Sequence, residues 1–512
     1  MRLFVLGLLA VGGCAALPDD GALMCNANPA RACPDDFFCA SDGRCYRNGH
    51  GPAGEDMGAG DDMAGGGSGD MVVVAACTDS STCPAGAPVC SASMMCSSCG
   101  TEGASSECAQ FHNTTPLCGP NGACVECFNI DQCESKHQTC DLATFSCAPC
   151  HANADCSSGF CNVANGVCAD RSTLLYVNNS PTAGCADSGS GTSALPFCTI
   201  QKGLNTSAMS AGKPVVVRSG TYNEAVLASA GALGDFSTTL VGTGKPVIKP
   251  TTTASAFAVS GAGATNVSVT LDGFVLDGTT MQMNMSAVLD CNGGSTMPAV
   301  YPVTLVVTNT TMTGGPYYGA SAEARCRLTA DNIIIQNNAG GGIALDQSDF
   351  NLTNVLMISN GSASSVFGAV YVISAGESGK MLITNATISG NTASSTGVVG
   401  SGLGFVSSGT SVINTVVVGN TGGADEVDAI RGTFTSDAFV GATGTNQNLP
   451  TSCGPPQLFV DPLNRDFHPK KGGAAPCTLI DVGQMAGAPS HDLDGVSRPQ
   501  GAGYDIGAYE SK

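Results

Sequence analysis

Tryptophan is absent from this 512-residue chain. The largest flat ring a protein can offer a sugar face is therefore missing. Positive charge is scarce: 20 Lys and Arg stand against 41 Asp and Glu, a formal net charge of −21. That balance argues against a phosphate-binding surface for nucleic acid or anionic lipid. Histidine does not occur between residues 172 and 467, which removes every His-dependent mechanism from that stretch. After the N-terminus, no apolar run approaches the roughly 20 residues of a membrane span.

What is abundant is glycine, with 68 residues, and cysteine, with 27. Glycine together with many Ser, Thr and Asn suits short strands joined by turns. The cysteines fall into three groups. Cys14 ends an apolar N-terminal stretch, and 20 fall into five units of four between Cys25 and Cys168. The last six are Cys185, Cys198, Cys291, Cys326, Cys453 and Cys477. Without Cys14 the number is even, as a fully disulfide-bonded exported protein requires.

Residues 1–14 read as an export signal: Arg2, then an apolar core with small residues before Cys14. Val11-Gly12-Gly13-Cys14 resembles a bacterial lipobox, which implies lipidation of Cys14 and a membrane partner through that lipid alone. Plain signal cleavage near Ala16 is the alternative, and in either case Cys14 leaves the pairing arithmetic unchanged.

Residues 15–48 hold the first unit, Cys25, Cys33, Cys39 and Cys45. Residues 49–76 form a Gly/Asp-rich linker with too little apolar surface to fold. As a random coil it would span roughly 30 Å. Residues 77–171 then carry four units without a break, each ending two residues short of the next, with C-x-x-C steps at 96/99, 124/127 and 147/150. So little apolar mass cannot hold a core, and covalent staples must replace it. Each unit allows three pairings, and spacing does not choose among them. Zinc between Cys124-x-x-Cys127 and Cys147-x-x-Cys150 would leave Cys133 and Cys140 unexplained in an oxidising compartment.

From about Thr173 short β-branched runs appear, and a repeat emerges. Asn332 to Asn338, Asn354 to Asn360, Asn385 to Asn391 and Asn414 to Asn420 share one frame: Asn, an apolar strand, Asn six residues on. Gly-led second strands lie between them, beginning at Gly341, Gly368 and Gly402. Such coils cannot bury their own apolar residues singly but share a core when stacked. Asn at fixed register tolerates left-handed backbone at a bend, and stacked amides can bond along the axis.

The repeat resembles the right-handed parallel β-helix of the pectate-lyase-like superfamily over residues 172–450. That resemblance implies an all-β solenoid entered through a capping helix near Thr199–Leu204 and a first strand at Val215. Residues 451–512, with His491-Asp-Leu-Asp-Gly495, Arg498-Pro499 and Asp505-Ile-Gly-Ala-Tyr-Glu510, resemble the tail of bacterial surface β-helix proteins called choice-of-anchor Q domains. The resemblance implies a C-terminal cap over the last coil. On the β-helix reading the six remaining cysteines pair locally, as Cys185–Cys198, Cys291–Cys326 and Cys453–Cys477.

Catalytic residues are not evident. A lyase needs a cation and an Arg or Lys base, and a hydrolase two carboxylates on one groove. Asp272, Asp277, Asp346 and Asp349 read as turn formers. Asp492 and Asp494 faintly resemble a Ca²⁺ loop that lacks its later ligands. Tyr317-Tyr318 is the one exposed-looking aromatic pair for a ligand. The expectation is a non-catalytic surface lipoprotein, without cofactor, whose β-helix binds polysaccharide or an envelope protein. The alternatives are a polysaccharide lyase or glycosidase, and a purely structural surface component.

Overall fold

The computed structural model describes residues 76–511, apart from short stretches at 85, 101–102, 105, 262–265, 283–285, 295–300, 377–379, 397–398 and 474, and a separate hairpin. That hairpin pairs Phe37–Cys39 with Cys45–Arg47. Cys14, the signal segment and most of the linker lie outside the described residues.

Residues 175 to 448 form one 23-stranded sheet whose pairings are parallel, wound as a right-handed β-helix. Three ladders run along its axis. Ladder A includes Phe236–Gly242, Val267–Asp272, Val303–Thr308 and the start of Cys326–Gln336. Ladder B follows each of these after a sharp bend, as in Val275–Asp277 onto Thr311–Thr313. Ladder C comprises Val226–Ser229, Phe257–Ser260, Leu289–Asn292, Tyr318–Glu323, the first part of Gly341–Ile358, Val370–Ala375 and Leu403–Phe405.

Alternation sends one side of each strand inward. Val267, Val269 and Leu271 are buried while Ser268, Thr270 and Asp272 lie between them on the outer side. Val269 stacks on Leu305 and then on Leu328 in successive coils, so the core is continuous along the axis. The helix Ile200–Met209 closes the first end. Its Thr199 Oγ1 accepts from Lys202 N at 3.3 Å, and Ile200 and Leu204 face the core. A Cβ on Gly203 would lie within 3 Å of Val177 and Val215, so only glycine lets this helix sit so close.

The bend between ladders A and B explains the first Asn of each frame. Asn309, Asn332, Asn354, Asn385 and Asn414 all have φ between +49° and +55°, the left-handed region that Asn visits most readily after Gly. The second Asn builds a buried amide ladder. Asn338 Nδ2 donates to Asn360 Oδ1 at 2.9 Å, Asn360 to Asn391 at 3.0 Å and Asn391 to Asn420 at 2.8 Å. Asn420 then donates to Glu426 Oε1 at 2.9 Å, which ends the row.

The four described cysteine units share one connectivity, first to third and second to fourth. The bonds are Cys77–Cys90 with Cys83–Cys96, Cys99–Cys118 with Cys108–Cys124, Cys127–Cys140 with Cys133–Cys147, and Cys150–Cys161 with Cys156–Cys168. Each unit contributes a short antiparallel pair such as Thr139–Asp141 with Ser146–Ala148. The last unit packs on the first coils: Phe160 and Ala169 lie against Leu174, Tyr176 and Val216, and Tyr176 Oη donates to Ser158 O at 3.1 Å.

The C-terminal segment extends over more of the solenoid than its last coil. It runs back along the flank of the solenoid. Asn354 donates to His491 O at 3.1 Å, Asn385 to Gly507 O at 3.1 Å and Asn414 to Gln484 O at 2.7 Å. Phe459, Phe467, Leu479, Ile506 and Ala508 cover the outer side of ladder B at Leu356, Ile358, Val416 and Val418. A strand buried on both faces reads as an unbroken apolar run, which is why Val416-Val417-Val418 does not alternate.

Candidate functional site

The outer side of ladder C brings aromatic, carboxyl and hydroxyl side chains together. Register places Asp290 beside Ser321, Ser321 beside Ala344, and Asn292 beside Glu323. Tyr318 opens the strand that carries Ser321 and Glu323. Asp290, Tyr317, Tyr318, Ser321, Glu323 and Asp346 line an open cleft of about 540 Å³.

One wall of the cleft is aromatic. The Tyr317 and Tyr318 rings lie 3.7 Å apart between centroids, and the row continues from Tyr318 to Phe367 at 5.0 Å and from Phe367 to Tyr371 at 5.2 Å. Phe367 is fully buried, with Ala344 and Val399 beneath the row, so the platform rests on a packed base. Tyr317 and Tyr318 are half-buried and keep an edge toward the cleft. Burial, and then the neighbouring Tyr317, push the Tyr318 hydroxyl well above its ordinary range.

The opposite chemistry is acidic. Asp290 Oδ1 accepts from Ser321 Oγ at 2.6 Å, and Glu323 Oε1 accepts from Asn292 Nδ2 at 2.7 Å. Asp346 accepts from Ser374 Oγ. Burial holds the Asp290 carboxyl above the usual carboxylate range. Glu323 is also raised, first by desolvation and then by the charges of Asp290 and Asp346. The described lining residues include no Lys, Arg or His. The cleft can therefore stack a ring, exchange hydrogen bonds with hydroxyls and hold a proton on a carboxylate.

Sequence reasoning singled out Tyr317 and Tyr318, and the structure stacks them at this cleft. It did not single out Asp290, Glu323 or Asp346 as a group. Asp346 was expected as a turn former. It does stand next to Gln347, which has a φ of +49°, at the corner between ladders C and A. It nevertheless lines the cleft.

Asp492 and Asp494 sit elsewhere, in the C-terminal segment. Asp492 Oδ1 accepts from Asp494 N at 2.9 Å and Val496 N at 2.8 Å, and Oδ2 accepts from Glu510 N at 2.9 Å. Asp494 Oδ2 meets His468 Nε2 at 3.1 Å. Asp492 thus organises a turn and does not share a ligand position with Asp494. Among the described residues, groups of three or more potential ligand atoms within 4.8 Å occur only at Cys77/Cys83/Cys96, Cys127/Cys133/Cys140 and Cys150/Cys156/Cys168. All of those sulfurs belong to disulfides.

The three outlying cysteine pairs are also bonded. Cα separations are 5.0 Å for Cys185–Cys198, 6.0 Å for Cys291–Cys326 and 5.4 Å for Cys453–Cys477, all within normal disulfide reach. Cys291 and Cys326 lie inside the core and tie ladder C to ladder A one coil on.

A family described as "Family of unknown function (DUF8331)" matches residues 64–174, the cysteine-rich part of the chain. No curated protein matches it. Among solved structures, the chain is similar to one titled "Crystal structure of pectate lyase Pel9A", at 14% identity and a TM-score of 0.31. That alignment covers 67% of this chain and 100% of the lyase chain. The described residues hold eleven disulfides, which marks an exported protein. No helix among them is long and apolar enough to cross a membrane.

Proposed function

We propose that this is an exported surface protein, tethered by lipid at Cys14, whose β-helix binds a saccharide in the ladder C cleft. The stacked pair Tyr317–Tyr318 carries this reading. Its rings stand on a rigid parallel ladder, beside carboxylates and serine hydroxyls set at fixed spacing. Ring stacking plus a few placed polar groups is how a protein holds a hydroxyl-rich ligand with both polar and apolar faces. A titration of the full chain against a panel of oligosaccharides tests the proposal. Binding that Tyr318→Ala weakens supports it, and a panel with no binder sinks it.

A second reading, glycoside hydrolysis, is favoured by one observation. Asp290 and Glu323 occupy adjacent strands two residues out of step. Strand spacing and rise put their α-carbons about 8 Å apart. A hydrolase needs two carboxyl groups facing one groove, and burial raises both Asp290 and Glu323, so either can hold the acid's proton. A lyase is less well supported, because the cleft's described lining offers no Arg or Lys base. Depolymerisation assays with and without Ca²⁺ separate the readings. Product formation that Glu323→Gln abolishes would replace binding with hydrolysis.

A further inference from the structure

We propose that the saccharide accepted by the ladder C cleft carries free amino groups. This inference rests on the saccharide reading and adds the charge of the ligand to it. Asp290, Glu323 and Asp346 all line one 540 Å³ cleft whose described lining has no cation. A neutral sugar entering there would strip water from three carboxylates and return no charge. A uronate polymer would add a fourth negative group to the three. An ammonium group does the reverse, because each carboxylate it approaches gains an opposite charge where the protein provides none. The Tyr317 and Tyr318 faces add to this, since an aromatic face attracts a cation through its quadrupole.

The neighbouring groups bear on the same choice. Ser321 and Ser374 hydroxyls already donate to Asp290 and Asp346. Asn292 donates to Glu323. These neutral donors orient the carboxyl groups but supply no positive charge. Binding an amine is therefore linked to release of protons from Asp290 and Glu323, and the affinity should weaken as pH falls through their raised titration range.

The test uses a matched pair of ligands on the full chain: a glucosamine hexamer and the same hexamer fully N-acetylated. They share a backbone and differ in charge. At about pH 6 and low salt, the amine form should bind at least about tenfold more tightly, a difference of about 1.4 kcal/mol. Glu323→Gln should remove much of that preference, while Asp425→Asn, an exposed carboxylate outside the cleft, should leave it intact. Equal binding of the two hexamers overturns the amine preference and leaves the saccharide reading standing. Binding of neither overturns both. A preference that Asp425→Asn weakens as much as Glu323→Gln does overturns the inference, because it reflects general attraction to an acidic chain.

Discussion

Asn360 Nδ2 donates to Asn391 Oδ1 at 3.0 Å across one coil of the solenoid, with both side chains fully buried. The same oxygen accepts from the Asn360 backbone N–H at 3.0 Å, and Asn360 also donates to Ile335 O at 2.8 Å in the preceding coil. One amide therefore satisfies groups in three successive coils. Removing it leaves several buried groups unpaired, and each costs about 1–3 kcal/mol. Asn360→Ala should lower the stability of the β-helix by about 3 kcal/mol, read as a lower denaturation midpoint at unchanged slope. A shift under about 0.5 kcal/mol would show that water replaces the ladder at no cost.

Asp437 predicts a pH dependence. It is buried at the last complete bend and accepts from Thr415 N at 2.7 Å and Thr435 N at 2.8 Å. Burial nevertheless raises its carboxyl to about 7. The folded protein thus keeps a proton that the unfolded chain releases near 4. Its contribution is most favourable below that unfolded value and is lost as pH rises toward 7. Glu224, Glu426 and Asp505 are raised in the same direction, each first by burial. Thermal midpoints should fall from about pH 5 to about pH 8, and Asp437→Asn should flatten the slope. A midpoint that rises over this range contradicts the assignment.

The C-terminal segment is locked by Arg498, which is buried, pairs with Glu510 and donates to Gly507 O at 3.0 Å. Arg498→Met would leave Glu510 buried without its counter-ion, a change that costs about 3–5 kcal/mol. Residues 479–510 should then detach from ladder B. Hydrogen exchange reads this as faster exchange at Ile506 to Glu510, together with new exposure near Leu356 and Val416. Unchanged protection there would mean that the apolar cover of Ile506 and Ala508 holds the segment without the ion pair.

The β-helix was legible because its repeat places a rare backbone requirement at constant register. Only a residue tolerant of positive φ serves at Asn309, Asn332, Asn354, Asn385 and Asn414, so the same letter returns. The capping helix was legible from Thr199 and the apolar spacing behind it. The acidic cleft was not. Asp290 and Glu323 are 33 positions apart (323 − 290), and which residues meet across coils depends on loop lengths that vary from coil to coil. The route of the C-terminal segment was hidden for a related reason. The unbroken run Val416–Val418 signals a strand covered on both faces but does not say that Ile506 and Ala508 supply the cover.

The central claim is that the Tyr317–Tyr318 cleft is a saccharide site, and titration of the double variant Tyr317→Ala/Tyr318→Ala beside the unaltered chain tests it most directly. Tyr318 also packs against Phe367, so the variant should lose some stability yet stay folded at the titration temperature, which a thermal melt of the same sample checks. The account predicts that the unaltered chain binds at least one oligosaccharide and that the variant binds it about tenfold or more weakly, since stacked rings contribute roughly 0.5–1.5 kcal/mol each beyond area burial. Equal affinity of the folded variant and the unaltered chain would contradict it.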